Sequence, residues 1–176
     1  MADSGHAPRK MHESSSVLVR RARPTDLSEV GAVTVRAYVE DGFVAADDAY
    51  LGQLSDAAGR LAQAELWVAE LGGVLVGTVT FCPPGSIYRE LATDREGEFR
   101  MLAVDPSSRG RGVARALVRR CLERCDELEL TELVMCSLRQ MTPAHALYVA
   151  MGFTRDPALD WAVHPGVTLI GFRAQV

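Results

Sequence analysis

The segment from residue 102 to residue 114 constrains the fold of this chain more than any other. A short apolar run at residues 102–104 stops at Asp105 and Pro106, a glycine-bearing turn follows, and a stretch of helical periodicity begins at Gly112. A strand, a turn and a helix in direct succession predict an α/β connection. The first N–H groups of a helix have no partner within the helix and attract phosphate. The segment therefore predicts an α/β fold and a site for a phosphorylated ligand.

Glycines and arginines alternate in this turn. Gly110 and Gly112 lack a Cβ, which lets the backbone approach a pyrophosphate closely. Arg109, Arg111 and Arg115 add charged hydrogen-bond donors around it. Two common phosphate motifs do not fit: Arg115 stands where a dinucleotide fingerprint needs its third glycine, and no Gly-Lys-Ser/Thr of a P-loop is present.

Hydrophobic periodicity gives the order of elements along the rest of the chain. Strands are predicted at residues 17–22, 66–71, 74–82, 98–104, 133–138, about 161–164 and 167–175, the last two around a turn at Pro165 and Gly166. Helices are predicted at residues 27–40, weakly within 41–63, at 112–128 and at 143–151, with Thr142 as the cap of the last. The expected fold is a mixed α/β (α+β) sheet in the order β-α-α-β-β-β-α-β-α-β-β. Residues 1–16 are expected to be a disordered tail, and 17–176 a single domain.

Composition excludes several classes of function. The net charge of -4 without a basic block argues against nucleic acid as a partner. No apolar run approaches the ~20 residues that cross a membrane, and no signal peptide is visible, so we expect a cytoplasmic protein. The four cysteines form no CxxC pair and have no neighbouring histidine, which predicts free thiols and no metal.

Three segments resemble the GCN5-related N-acetyltransferase (GNAT) family. Arg109-x-x-Gly112-x-Ala114, directly after its strand, is similar to the acetyl-CoA signature of that family. Residues 19–27 resemble the opening strand and helix, and residues 144–153 the last helix and the turn after it. The resemblance implies the acyl-CoA N-acyltransferase fold, acetyl-CoA as cosubstrate and an amine as acceptor.

The resemblance also implies which residues bind the cofactor. The pantetheine arm would pair with the strand backbone at Leu102, Ala103 and Val104, where a main-chain N–H near Leu102 would stabilise the oxyanion. The pyrophosphate would be cradled by Arg109, Gly110, Arg111, Gly112, Val113, Ala114 and Arg115. Many members carry asparagine where this chain has Met141, so that contact is absent here.

Two catalytic residues follow from the same resemblance. Glu98 matches the basic glutamate of GCN5-type enzymes, and Tyr148 matches the tyrosine that protonates the departing thiolate. The alternatives are a solvated glutamate near the start of a strand and an aromatic side chain packed on a helix face.

The sequence does not identify the acceptor or the acyl group. The acidic and aromatic stretch at residues 38–61 suits a cationic amine, and a solvated acidic surface is the alternative. Arg100 is a hint of another acyl donor such as succinyl-CoA. The alternative from a different class of function is a module that binds acyl-CoA without catalysis. A homodimer is common in the family, and the sequence does not decide it.

Overall fold

A computed structural model describes residues 16–45, 47–164 and 167–176 of the chain. The predicted tail, apart from Ser16, and the turn at Pro165 and Gly166 lie outside these residues. The strands are β1 (Leu18–Arg21), β2 (Glu65–Leu71), β3 (Val74–Cys82), β4 (Glu96–Val104), β5 (Glu132–Leu138), β6 (Thr154–Arg155), β7 (Trp161–His164) and β8 (Val167–Gln175). The helices are α1 (Leu27–Glu40), α2 (Tyr50–Ser55), α3 (Ala57–Gln63), α4 (Val113–Glu127) and α5 (Thr142–Ala150).

All eight strands form one mixed sheet. Its order is β1-β2-β3-β4-β5-β8-β6, with β7 paired to β8. The pairs are antiparallel except for β4 and β5, which run parallel and are joined by the crossover helix α4. The prediction of a mixed α/β sheet is thus confirmed.

The two faces of the sheet carry different helices. Helix α4 and Tyr148 of α5 share the largest core cluster with β2, β3, β5 and β8, whereas α1, α2 and α3 pack with Val68, Met101 and Ala103 on the opposite face. Side chains alternate between the two faces along each strand. The layers therefore enclose the sheet on both sides.

Helix α4 lies unusually close to the sheet at two glycines. A Cβ added to Gly77 would stand 2.7 Å from Val113 Cγ1, and one added to Gly97 would stand 2.6 Å from Cys125 Sγ. Only glycine fits at these two contacts without displacing the helix. The pair therefore sets the position of α4, whose first turn follows the glycine-bearing turn.

Three local predictions were wrong. The weak helix within residues 41–63 is two helices, because Asp56 accepts a hydrogen bond from the Gly59 N–H and begins a new helix at Ala57. The short strand β6 was not predicted, because two residues carry no periodicity. Thr142 lies inside α5, and Met141 holds the N-cap position.

The described residues include no helix long and apolar enough to cross a bilayer.

We expect Gly97→Ala to destabilise the protein by about 1–3 kcal/mol, because the added methyl overpacks the contact with Cys125 and Phe81. Gly52→Ala is the matched control: Gly52 lies in α2 with open space around it, and alanine there gains up to about 1 kcal/mol of helix propensity. Urea unfolding measures both. Equal midpoints for the two variants would contradict the close approach of α4.

Candidate functional site

The sheet splits between β4 and β5. Their parallel pairing consists of three residue pairs, from Glu96 with Glu132 to Glu98 with Val134. Beyond this point β5 continues along β8 as far as Leu138, and β4 continues along β3 as far as Val104. The edge of β4 that faces the split therefore offers its backbone groups to an added strand. Leu102, Ala103 and Val104 lie on this edge.

A β-bulge in β4 lies at the split. Thr80 pairs with Arg100 and Thr78 with Ala103, so Met101 and Leu102 stand opposite the single residue Val79. Met101 has φ +50°, a conformation unusual for a residue with a side chain. Met101 packs with Leu54 and Tyr38, while Leu102 packs in the core cluster of α4. The bulge directs Met101 to the face of α1 and re-aims the backbone around Leu102.

The turn from β4 into α4 has the backbone that its glycines permit. Gly110 has φ +72° and Gly112 has φ +82°, and no atom beyond their chain neighbours lies within 4 Å of a Cβ built on either. Gly112 is the N-cap of α4, so the N–H groups of Val113, Ala114 and Arg115 start the helix without carbonyl partners in it. Val113 is buried beneath the turn and Ala114 is half-buried.

The three predicted arginines occupy different environments. Arg109 Nη1 lies 2.7 Å from Asp41 Oδ1, which joins the turn to the end of α1. Arg111 is exposed and lines a surface cleft of about 310 Å³ together with Arg36. Arg115 is exposed on the first turn of α4. The carboxylate of Asp41 thus occupies one nitrogen of the Arg109 guanidinium.

Tyr148 lies at the base of the split on the side of α4. Its ring centroid is 5.8 Å from that of Phe99, 5.8 Å from Phe153 and 5.9 Å from Phe172. Phe99 is the first residue of β4 beyond the paired segment. Burial, followed by the influence of Tyr38, raises the pKa of Tyr148 well above its usual value. The side chain therefore stays protonated and keeps a proton to donate.

Glu98 is not a solvated side chain, since only 1% of it is exposed. Its Oε2 accepts hydrogen bonds from the N–H groups of Glu90, Leu91 and Ala92 over 2.9, 2.9 and 3.1 Å. Its Oε1 lies 4.0 Å from Arg100 Nε. One oxygen thus anchors the loop between β3 and β4, and the other is directed toward Arg100.

Arg100 and Glu90 form an ion pair beside Glu98. Arg100 Nη1 lies 2.7 Å from Glu90 Oε1 and donates to the Tyr88 carbonyl over 3.0 Å. Arg100 lies across from Thr80 on the face of the sheet that α1, α2 and α3 cover, opposite to the face of Tyr148. The split thus has a tyrosine on one face and an exchangeable ion pair on the other.

Most of the acidic residues at 38–61 have local partners. Asp41 binds Arg109, Asp48 accepts from the Tyr50 N–H and Asp56 caps α3. Their charges therefore stabilise helix ends and the glycine-bearing turn. Among the described residues, no group of three or more histidine, cysteine or acidic side chains is arranged to hold a metal ion.

The sequence reasoning missed Glu90 and the bulge at Met101. Glu90 lies in a polar loop that contains no motif. It reaches the split because Glu98 accepts hydrogen bonds from this loop and fixes its position. A bulge changes the alternation of side chains along β4 at one point only, where two neighbouring residues lie on the same face. No signal in a single sequence would have found either.

The model of the Acetyltransferase (GNAT) family matches residues 33–153. The chain belongs to this family. The matched residues run from α1 to the end of α5 and include the split, the bulge and the glycine-bearing turn.

Curated relatives of this GNAT chain include an N-acetylaspartate synthetase and an N-acetyltransferase. N-acetylaspartate synthetase of Rattus norvegicus is 36% identical over 103 residues, which are 58% of this chain and 32% of the relative. N-acetyltransferase 8 of Rattus norvegicus is 36% identical over 114 residues, which are 60% of this chain and 48% of the relative. The chain thus spans about a third to a half of the length of these relatives.

Solved structures share the GNAT fold at low identity. PaiA N-acetyltransferase from Thermoplasma acidophilum, in complex with coenzyme A, has a TM-score of 0.72 at 13% identity and covers 92% of this chain and 99% of its own. The structure of yncA from Salmonella typhimurium with its cofactor acetyl-CoA has a TM-score of 0.67 at 19% identity over 90% and 93% of the two chains. These neighbours confirm the predicted fold.

The role of Glu98 in the loop predicts a difference between two variants. Glu98→Gln keeps an acceptor oxygen for the three N–H groups, whereas Glu98→Ala leaves them unpaired and costs about 1–3 kcal/mol. We expect hydrogen exchange at residues 90–92 to stay slow in Glu98→Gln and to become fast in Glu98→Ala. Fast exchange in both variants would show that the charge itself, rather than the acceptor, holds the loop.

Proposed function

We propose that this chain transfers the acetyl group of acetyl-CoA to a primary amine by direct attack in a ternary complex, with residues 17–176 as the acetyltransferase domain. One observation carries the proposal. The unpaired edge of β4 leads directly into the glycine-bearing turn and the N-terminus of α4. A strand-like ligand arm that ends in a pyrophosphate matches this continuous surface.

The cofactor assignment follows from that surface. The pantetheine amides pair with backbone groups of Leu102, Ala103 and Val104, like an added strand. The pyrophosphate accepts from the N–H groups at the start of α4, with Arg109, Arg111 and Arg115 as charged donors. Membership of the family and the CoA-bound neighbours support this assignment.

The chemical step is aminolysis of a thioester. The acceptor ammonium, with a pKa of about 10 as in lysine, first loses a proton. We assign this proton to Glu98 through Oε1, the oxygen that the loop leaves unoccupied. The amine nitrogen then attacks the carbonyl carbon, the N–C bond forms, and a main-chain N–H near Leu102 stabilises the oxyanion. The C–S bond breaks and the thiolate takes the proton of Tyr148. The amide nitrogen loses its second proton to solvent, Tyr148 recovers a proton from solvent, and Glu98 releases the proton that it took, so that one proton is released in each turnover.

A different acyl group is the second candidate. Arg100 lies beside the split and would favour an acyl-CoA with a terminal carboxylate, such as succinyl-CoA. Parallel kinetics with acetyl-CoA and succinyl-CoA decide between them, and a higher kcat/KM for succinyl-CoA would replace our assignment. Tight acyl-CoA binding without turnover of any amine or protein would favour the non-catalytic module.

We expect wild-type protein to bind acetyl-CoA in calorimetric titration and Gly112→Glu to lose this binding. The variant places a side chain and a negative charge where the pyrophosphate accepts its hydrogen bonds. Gly112→Ala is the matched control, because it carries the same strain at φ +82° without the charge. Its affinity should fall by about tenfold or less, from strain of about 1 kcal/mol. Equal losses in the two variants would assign the effect to strain and contradict the phosphate site.

We expect Tyr148→Phe to lower kcat by about 10²- to 10⁴-fold, while the phenylalanine keeps the aromatic packing and the affinity for acetyl-CoA. Because the pKa of Tyr148 is raised, the wild-type acid stays protonated, so kcat should not fall on its account as pH rises through about 10. An aryl thioester donor, whose thiolate leaves without protonation, should reduce the deficit. A kcat within threefold of wild type would rule out Tyr148 as the acid.

A further inference from the structure

Behind the proposed acceptor side of the split lies a buried guanidinium that forms no ion pair with any carboxylate of the described residues. Arg60 of α3 is 0% exposed. All its recorded hydrogen bonds go to neutral oxygens: the Thr34 hydroxyl at 3.3 Å, the Thr80 hydroxyl at 3.4 Å, and the carbonyls of Leu54 and Asp56 at 3.0 and 3.3 Å. Arginine stays charged in proteins. These dipoles solvate the charge but do not cancel it.

Arg100 is the neighbour of this buried charge. Thr80, which binds Arg60, is the cross-strand partner of Arg100, so the two guanidinium groups lie on one face of the sheet. The side chain of Arg100 is 18% exposed and that of Glu90 is 35% exposed. Their ion pair is therefore the part of this charged cluster that a ligand can reach.

The two glutamates of the cluster are not equivalent. Three backbone N–H groups already stabilise the charge of Glu98, and its anchoring bonds fix the loop. Glu90 is the partner that balances Arg100 beside Arg60. A ligand that draws Glu90 away therefore removes the hydrogen-bonded carboxylate of Arg100, which is costly in a partly buried site. The remaining carboxylate of Arg100 is then that of Glu98, whose Oε1 lies 4.0 Å from Nε.

We propose that the acceptor is an amino carboxylate, with its carboxylate bound by Arg100 and its ammonium bound by Glu90 before deprotonation. A zwitterion exchanges the internal ion pair for two external ones, so Arg100 and Glu90 each keep a close charged partner. A simple amine occupies Glu90 and leaves the Arg100 guanidinium without its carboxylate partner at 2.7 Å. The inference rests on the proposed acetyl transfer and names its substrate class. Arg100 is then the specificity-determining residue, since its planar fork suits a carboxylate.

The test compares matched acceptors. Each amino acid is assayed against the amine that remains when its α-carboxylate is removed, with release of the CoA thiol as readout and β-alanine and aspartate in the panel. We expect wild-type kcat/KM to favour the carboxylate-bearing member of a pair by about 10- to 100-fold, the range for a hydrogen-bonded charge partner. In Arg100→Gln this preference should disappear, because kcat/KM falls more for the carboxylate-bearing member of each pair than for the amine.

Controls separate specificity from folding. Arg119→Gln removes an exposed arginine of α4 and should leave the preference intact. In calorimetric titration, Arg100→Gln should bind acetyl-CoA with the affinity of the wild type. If the unpaired Glu90 destabilises this single variant, the double variant Arg100→Gln with Glu90→Gln should bind acetyl-CoA equally well.

The outcomes distinguish the two proposals. Equal kcat/KM for both members of every pair, acetylation of amines or protein lysines alone, or an equal loss for both members in Arg100→Gln overturns the amino carboxylate and leaves the acetyltransferase standing. Failure of the wild type to bind acetyl-CoA overturns the proposed function itself.

Discussion

The early parting of β4 and β5 is the constraint on which the rest of the structure depends. Parallel strands normally continue side by side, but four aromatic rings meet where these two separate, with Phe99 in contact with Tyr148 and Phe153 at centroid distances of 5.8 and 6.1 Å. These rings belong to the core cluster on the α4 face of the sheet. The packing holds Tyr148, the proposed acid, beside the point where the strands separate.

The bulge at Met101 makes the two faces of the sheet differ at the split. An unbroken strand would send Met101 to the face of α4, yet it packs with Tyr38 on the face of α1, next to Arg100. Two consecutive side chains therefore line one face, and the backbone after them is rotated toward the split. A positive φ at a methionine costs about 1–2 kcal/mol. Such strain persists only where the surrounding packing fixes it, here between α1 and α4.

The sequence was informative wherever the signal is local. Helices α1 and α4 and strand β3 follow from periodicity, and the turn at Gly110 and Gly112 from the need for positive φ. The division of one predicted helix into two at Asp56 had a readable signal, since aspartate is a preferred N-cap residue. The partners of Glu98 and the two hydroxyl partners of Arg60 had none, because the contacts join residues 6 to 8 apart in a loop and 20 to 26 apart across layers.

Glu98 and Arg60 carry buried charges of opposite sign that are stabilised in the same way. Each is a buried charge solvated by neutral groups, three N–H donors for the carboxylate and four oxygens for the guanidinium. Fixed dipoles of this kind cannot follow a ligand, so Arg60 and the anchored Oε2 of Glu98 keep their partners when an acceptor binds, while Oε1 of Glu98 is left to take the proton. Glu90 and Arg100 bind each other through partly exposed side chains and can change partners. Glu90 and Arg100 therefore discriminate between acceptors. The buried charges of Glu98 and Arg60 set the electrostatic potential around this pair.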